Sequence, residues 1–101
     1  MAIAEVSVVP IGTAKTGVSE YVAGAVSILK ESGLKYKLTP MGTIIEGDIK
    51  DVLEVISKMH ETPFNKNAKR VYTTIKIDDR RDIKAEMDNK VKSVMEKLNS
   101  E

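Results

Sequence analysis

The segment that most constrains the fold is residues 32–48, SGLKYKLTPMGTIIEGD, because it contains a complete strand, turn and strand. Its first half alternates in polarity, with Leu34, Tyr36 and Leu38 on one side and Lys35, Lys37 and Thr39 on the other. A period of two is typical of a half-buried strand. The Pro-Met-Gly turn at 40–42 then reverses the chain into a second strand at 43–46. A β-hairpin in the middle of the chain is therefore predicted.

Helical patterns flank this hairpin. The first begins at Val18 and stops at Ser32 and Gly33, where glycine suits the residue after a helix end. The second follows a capping residue, Asp48, and is predicted to end at Thr62-Pro63. Its predicted inward face consists of Ile49, Val52, Leu53, Ile56 and Met59.

Strands and a third helix complete the pattern. Alternating β-branched residues predict a first strand in 2–11 and a fourth strand in 70–77. A last apolar stripe predicts a C-terminal helix and comprises Ile83, Met87, Val91, Val94, Met95 and Leu98. The fold class is therefore α+β, one domain over residues 1–101, with β-α-β-β-α-β order, a four-stranded antiparallel sheet and an additional C-terminal helix.

The two faces of this sheet differ in character. Right-handed connections place the first two helices on one face, with strands one and three in the centre. The predicted helix-facing residues are Val6, Val8, Leu38, Ile45, Val71 and Ile75. The predicted open face carries Glu5, Ser7, Val9, Lys37, Thr39, Ile44, Glu46, Tyr72, Thr74 and Lys76. The open face mixes apolar and polar residues, and the sheet does not need the last helix to cover its helix-facing side. We therefore expect a homo-oligomer, a tetramer built as a dimer of dimers.

Composition narrows the classes of function. Charged residues make up 31% of the chain, but 16 basic and 15 acidic residues leave a net charge of only +1, which disfavours nucleic-acid and anionic-membrane partners. There is no cysteine, so thiol catalysis and thiolate metal sites are excluded. No segment reaches the ~20 apolar residues of a membrane span, and the start lacks the features of a signal peptide. We expect a cytoplasmic protein.

Three motifs favour ordinary structural roles. The loop GTAKTG at 12–17 lacks the Lys-Ser/Thr pair that a phosphate loop has directly after its second glycine, so a turn capped by Ser19 or Thr16 is favoured, with a small anion at the free amides as the alternative. The single histidine, His60, is expected to contact helix-end carbonyls rather than a metal. The charge run at 78–82 is expected to form internal salt bridges at a helix start, against an ion-binding role.

The hairpin offers the best candidate site. Its turn combines a polarisable side chain, hydroxyls and a glycine that permits close backbone approach. On strand alternation, Glu46 is predicted to lie beside the turn and to project toward Ser7 and Tyr72. The candidate ligand-binding residues are Ser7, Thr39, Met41, Gly42, Thr43, Glu46, Tyr72 and Thr74. The alternative is a purely structural hairpin, in which hydroxyls pair across strands and Glu46 pairs with Lys37 or Lys76.

Three blocks of sequence, taken in order, resemble one family. They are VSVVPIG at 6–12, YKLTPMGT at 36–43 leading into Glu46-Gly47, and RVYTTIKIDDRRD at 70–82. The chain resembles the small thiamine-binding proteins of the MTH1187/YkoF-like group over nearly its whole length. The resemblance implies a ferredoxin-like fold, assembly as dimers and tetramers, and binding of thiamine or its hydroxymethylpyrimidine portion.

Two functions from different classes follow. The first is a non-catalytic protein that binds thiamine or hydroxymethylpyrimidine as its ligand, without a cofactor or metal, at or near a subunit interface. The alternative is an oligomeric regulatory or assembly protein that binds an anion or a partner protein. Catalysis is disfavoured, because the residues suggest no nucleophile and base pair.

Overall fold

The structure, a computed structural model, describes residues 1–14, 17, 19–82 and 87–99. Its elements in chain order are β1 (Ala2–Pro10), α1 (Ser19–Ser32), β2 (Lys35–Thr39), β3 (Gly42–Gly47), α2 (Ile49–Asn65), β4 (Val71–Asp79) and α3 (Met87–Asn99). This order confirms the predicted α+β fold with an added C-terminal helix. The predicted helix starts at Val18 and Ile83 lie outside the described residues. Gly33 follows α1 with a φ of +76°, as its predicted position after the helix end requires.

The sheet has the strand order β2-β3-β1-β4, with every neighbouring pair antiparallel. Strands one and three are therefore central, as predicted. β1 pairs with β4 along its whole length, from Ala2 opposite Asp79 to Pro10 opposite Val71. It pairs with β3 over a shorter stretch, which ends at Val6 opposite Thr43. The last part of β1 thus has a neighbouring strand on one side only.

The core lies between one sheet face and the first two helices. Its buried members are Ala4, Val6, Ala25, Leu29, Ile45, Val52, Val55, Ile56 and Met59. Directly opposed residues in an antiparallel pair share a face, so the register confirms the predicted division of the sheet into a helix-facing and an open side. The predicted inward position of Leu53 is wrong, because this side chain is 45% exposed and Val55 is buried in its place. Leu53 lies at the edge of the α2 stripe, whose buried residues recur at three- and four-residue spacing.

The predicted end of α2 at Thr62-Pro63 is also wrong, since the helix continues to Asn65 with Pro63 inside it. A proline has no N–H to donate to the carbonyl four residues earlier, which here belongs to Met59. The Thr62 hydroxyl donates to that Met59 carbonyl instead, at 2.7 Å. Beyond the helix, Asn67 adopts a φ of +71° and its N–H donates to the Phe64 carbonyl at 3.1 Å. At the other end, Asp48 occupies the predicted capping position, but its side chain makes no capping hydrogen bond.

We predict that Thr62→Val lowers the free energy of unfolding by about 1 kcal/mol, because the part-buried Met59 carbonyl then has no donor. Valine keeps the shape of threonine, so packing is little changed. Urea denaturation is the measurement, with Thr74→Val on the exposed part of β4 as the matched control. Equal stability of the two variants would show that Thr62 does not compensate for Pro63.

The first turn of α3 is tied to the open face of the sheet. Asp88 accepts hydrogen bonds from Lys35, at 2.5 Å, and from Lys37, both on β2. Lys90 pairs with Asp78 on β4. Met87 is buried. These contacts join the helix start to strands at both edges of the sheet.

Most of α3 extends away from this attachment. Its remaining apolar residues are exposed: Val91 (63%), Val94 (58%), Met95 (51%) and Leu98 (59%). The molecule measures 49 × 30 × 19 Å with a radius of gyration of 15.3 Å, above the ~13 Å of a compact chain of this length. The predicted apolar stripe is therefore present, but within one protomer no described element covers these four residues. None of the helices that the structure describes has the length and hydropathy of a membrane-spanning segment.

The ion pairs that attach α3 to the sheet should be lost at strongly acidic pH. Hydrogen bonds from Lys35 and then Lys37 lower the pKa of Asp88 from its ordinary value of 3.8 to about 2. A lowered carboxyl pKa means that the ion pairs stabilise the folded state above pH ~4 and are lost as the pH falls through about 2. We predict that the side-chain carboxyl carbon of Asp88 titrates near pH 2 by NMR, and that the amide signals of residues 88–91 shift with it. In Asp88→Asn that transition should vanish, whereas an Asp88 midpoint near 3.8 would contradict the pairing with the two lysines.

Candidate functional site

The β2–β3 turn is held by the Thr39 side chain. Its hydroxyl donates to the Gly42 carbonyl at 2.8 Å and accepts the N–H groups of Gly42 at 3.1 Å and Met41 at 3.3 Å. Gly42 also lies close to β1, since a Cβ at this position would stand 3.1 Å from the Val6 carbonyl oxygen. The hydroxyl of Thr39 is thus used in the turn, in agreement with the structural alternative for this residue.

A cavity of about 340 Å³ opens where β1 extends beyond the hairpin. It lies among β1, the hairpin, α1 and α2, and we call it the hairpin cavity. The lining residues are Val6, Ser7, Val8, Val9, Val22, Ala25, Leu38, Thr39, Pro40, Met41, Gly42, Thr43 and Met59. Its volume falls in the range of ~300–1,000 Å³ that is usual for small-molecule sites. Five of the eight predicted site residues are therefore brought together here.

The hairpin cavity has an apolar rim and a polar interior group. Met41 is 83% exposed and Leu38 is 56% exposed, although both are large apolar side chains. Thr43 is only 7% exposed, and the register places its side chain on the helix-facing side, opposite Val6. Ser7 also lines the cavity, but strand alternation directs its side chain to the open face, where it opposes Thr74. Among the hydroxyls here, that of Thr43 is the best placed to meet a ligand.

Glu46 lies elsewhere, so its predicted proximity to the turn is wrong. In the sheet, Glu46 lies opposite Lys35 of β2 and Ile3 of β1. It is four residues from Gly42 along β3, a distance of about 13 Å along the strand. Its side chain and that of Thr43 also point to opposite faces. Glu46 lines a second cavity of about 420 Å³ beside the start of α2, which we call the end cavity. The end-cavity lining is Met1, Gly33, Leu34, Lys35, Glu46, Gly47, Asp48 and Asp51.

The Glu46 carboxylate is unusual in its burial. The residue is 4% exposed, and its Oε1 atom has no hydrogen-bond partner among the described residues. Its Oε2 atom lies 3.8 Å from the Lys35 ammonium, whereas Lys37 pairs with Asp88 and Lys76 lies 3.9 Å from Glu5. The predicted structural partners of Glu46, Lys37 or Lys76, are therefore replaced by Lys35. A buried oxygen without a donor is costly, so Glu46 is itself a candidate for ligand contact.

The other candidates are placed apart from both cavities. Tyr72, 62% exposed, and Thr74 lie on β4 at the open face and line neither cavity. His60 is not at the end of α2; its Nδ1 lies 2.7 Å from the Thr73 hydroxyl and its ring meets Phe64 edge-on. In the charge run, Arg80 pairs with Asp82 and Arg81 with Asp79, which confirms the predicted internal salt bridges. Of the 12–17 loop and its proposed caps, residues 15 and 16 lie outside the described part of the chain.

The sequence patterns did not single out the residues that wall the hairpin cavity. Val22 and Ala25 come from α1, Met59 from α2 and Val8 from β1. Met59 and Val8 belong to predicted inward faces, and such a face identifies core residues without showing where the core opens. Within the described residues, no group of three or more histidine, aspartate or glutamate side chains could hold a metal ion.

Comparison with known proteins agrees with the three sequence blocks. The sequence model of the thiamine-binding protein family matches residues 4–95. UPF0045 protein YqgV of Bacillus subtilis is 49% identical over 102 residues, covering 97% of this chain and 98% of that protein. A UPF0045 protein of Methanothermobacter thermautotrophicus is 43% identical over 99 residues, covering 97% and 100%. The crystal structure of hypothetical protein MJ1052 from Methanocaldococcus jannaschii is similar with a TM-score of 0.86 and 36% identity, covering 94% and 96%.

Fold, cavity and relatives together define a class of small α+β proteins with a small-molecule binding role. The chain belongs to the thiamine-binding protein family. That family is described by binding rather than by a reaction.

Proposed function

We propose that this chain is a non-catalytic protein that binds thiamine, or its hydroxymethylpyrimidine portion, in the hairpin cavity. The family match over residues 4–95 supports the class of ligand. The observation that carries the choice of site is the lining of the hairpin cavity, which is apolar, uncharged among the described residues, and supplied with a buried hydroxyl from Thr43.

Electrostatics favours the pyrimidine end of the vitamin in this cavity. Thiamine consists of a neutral aminopyrimidine and a cationic thiazolium. Burying a charge in an uncharged apolar cavity costs far more than burying a neutral ring whose polar edge finds hydrogen-bond partners. The neutral ring therefore enters, and the thiazolium stays at the rim near the exposed Met41, where water still solvates it.

A mutant pair tests the site. We predict that Thr43→Val weakens binding of hydroxymethylpyrimidine about fivefold, because a neutral hydrogen bond contributes ~1 kcal/mol. Glu46→Gln should leave affinity unchanged within about twofold, since Glu46 lies about 13 Å from the turn on the other face of the sheet. Isothermal titration calorimetry with thiamine and with hydroxymethylpyrimidine is the measurement, and Thr74→Val is the matched threonine control on the open face.

The reverse pattern would relocate the ligand. If Glu46→Gln weakens binding by about ten- to a hundredfold while Thr43→Val has no effect, the ligand occupies the end cavity, where a charged hydrogen bond worth about 1.5–3 kcal/mol is available. A wild-type protein that binds neither compound, yet gains thermal stability from sulfate or phosphate, would instead support the alternative role in binding an anion.

We further propose that the protein acts as a homotetramer, a dimer of dimers. Two surfaces support this assembly. The α3 stripe of Val91, Val94, Met95 and Leu98 is more than half exposed at every position. The open sheet face adds a shallow hollow of about 240 Å³, in which the apolar side chains of Ile3 and Ile44 lie among charged residues. Apolar surface of this extent on a small protein marks an interaction site.

Light scattering tests the assembly at micromolar concentration. We predict that the double substitution Val94→Glu and Leu98→Glu lowers the oligomeric state, because it introduces charges into the exposed stripe. Ser93→Glu, on the polar side of α3, is the control and should leave the assembly unchanged. A monomeric wild-type protein would refute the tetramer.

A further inference from the structure

The end of β1 has an unoccupied backbone edge inside the hairpin cavity. β4 follows β1 as far as Pro10 opposite Val71, whereas β3 stops at Val6 opposite Thr43. Ser7, Val8 and Val9 all line the cavity. On the side of the hairpin, this part of β1 therefore faces open space rather than a strand.

The direction of each backbone group follows from one hydrogen bond. The Ile11 N–H donates to the Arg70 carbonyl at 2.8 Å, in register with the β1–β4 pairs. Successive residues of an antiparallel strand present their N–H and C=O groups to alternate sides. The N–H and C=O groups of Ile11, Val9 and Ser7 therefore point toward β4, and those of Val8 point toward the cavity.

Two other observations agree with this direction. The Val6 carbonyl lies on the hairpin side, 3.1 Å from where a Cβ on Gly42 would stand. Pro10, which has no N–H, keeps its place opposite Val71, as a proline can only where its nitrogen faces away from the neighbouring strand. The backbone polar groups of Val6, Val8 and Pro10 thus all point toward the hairpin side of β1. Val8 is the first of these residues beyond the last β1–β3 pair.

We propose that the N–H and C=O groups of Val8 together recognise the amino-substituted edge of a nitrogen heterocycle, an inference that rests on the proposed function. Val8 is half-buried, and among the described residues no hydrogen-bond partner is found for these two groups. A ligand that fills the cavity excludes water from them and must therefore supply their partners. An extended residue presents a donor beside an acceptor. The complementary ligand edge is a ring nitrogen, which accepts, next to an exocyclic amino group, which donates, as in 4-aminopyrimidine.

This pairing also predicts selectivity for an amino-substituted ring. A phosphate or carboxylate offers acceptors only, so it would leave the Val8 carbonyl without a donor. A pyrimidine without the amino group would satisfy the N–H and leave the same carbonyl unpaired. Unpaired buried polar groups are what enable a site to reject close analogues. Val8 is therefore a specificity-determining residue through its backbone, whatever its side chain.

The test removes one backbone donor. Val8→Pro deletes the N–H, and the tolerance of proline at Pro10 indicates that the β1–β4 ladder survives. Val8→Ala removes the same valine side chain but keeps the N–H. Calorimetric titration with hydroxymethylpyrimidine should show Val8→Pro binding at least about fivefold more weakly than Val8→Ala, the equivalent of one neutral hydrogen bond. The analogue with hydrogen in place of the 4-amino group should bind the wild type about fivefold more weakly than the parent compound.

Each outcome separates this inference from the proposed function. A wild-type protein that binds hydroxymethylpyrimidine, with Val8→Pro folded and as tight as Val8→Ala, would overturn the role of Val8 alone. No binding by the wild type would overturn both. If Val8→Pro does not fold, hydrogen exchange decides: the ligand should slow exchange of the wild-type Val8 amide, with the Val9 amide already protected by β4. Unaltered exchange at Val8 in the saturated protein would refute the contact.

Discussion

The unequal pairing of β1 is the constraint on which the candidate site depends. This central strand is matched along its full length by β4 but only as far as Val6 by β3. The hairpin is short because Thr39 closes the turn with three hydrogen bonds. A hairpin extended by two residues would pair with Val8 and fill the space that is now the cavity. A local turn interaction therefore determines where the sheet leaves space for the candidate site.

On the open face of the sheet, ion pairs determine how α3 and Glu46 are held. The Lys35 ammonium lies 2.5 Å from a carboxylate oxygen of Asp88 in α3 and 3.8 Å from one of the buried Glu46. One ammonium group therefore forms ion pairs with two carboxylates. Coulomb energy falls with distance, and the closer Asp88 receives the stronger interaction. The attachment of α3 and the electrostatic compensation of Glu46 are consequently linked through Lys35. A change in the position of α3 on assembly would alter the environment of Glu46 without touching the hairpin cavity.

Much of this architecture could be predicted from the sequence. Period-two alternation gave the correct face for every strand residue assigned to one, and the order of elements gave the sheet centre. The predictions failed where a local compensation decides the outcome. Pro63 normally marks a helix end, but the Thr62 hydroxyl satisfies the carbonyl that proline leaves free. Alternation also specifies a face without specifying a position along it, which is why Glu46 was expected near Ser7.

The site was only partly predictable for the same reason. Five of the eight predicted residues line one cavity, and four of these five are hairpin residues, which are neighbours in sequence as well as in space. Side-chain patterns carry no information on whether a backbone edge is paired. The sequence around Val8 therefore does not indicate that its N–H and C=O groups lack a neighbouring strand. That edge appears only when the lengths of two pairings are compared in the folded sheet.

The two cavities also differ in the ligand chemistry that each permits. The end cavity contains Glu46, Asp48, Asp51 and Lys35, and any ligand there must balance charge. The hairpin cavity presents neutral groups, so shape and the direction of hydrogen bonds determine what enters. A ligand recognised by its neutral ring leaves its charged portion outside, where water screens it. Chemical changes to that outer portion should then affect affinity less than the loss of a single ring substituent that faces the strand edge.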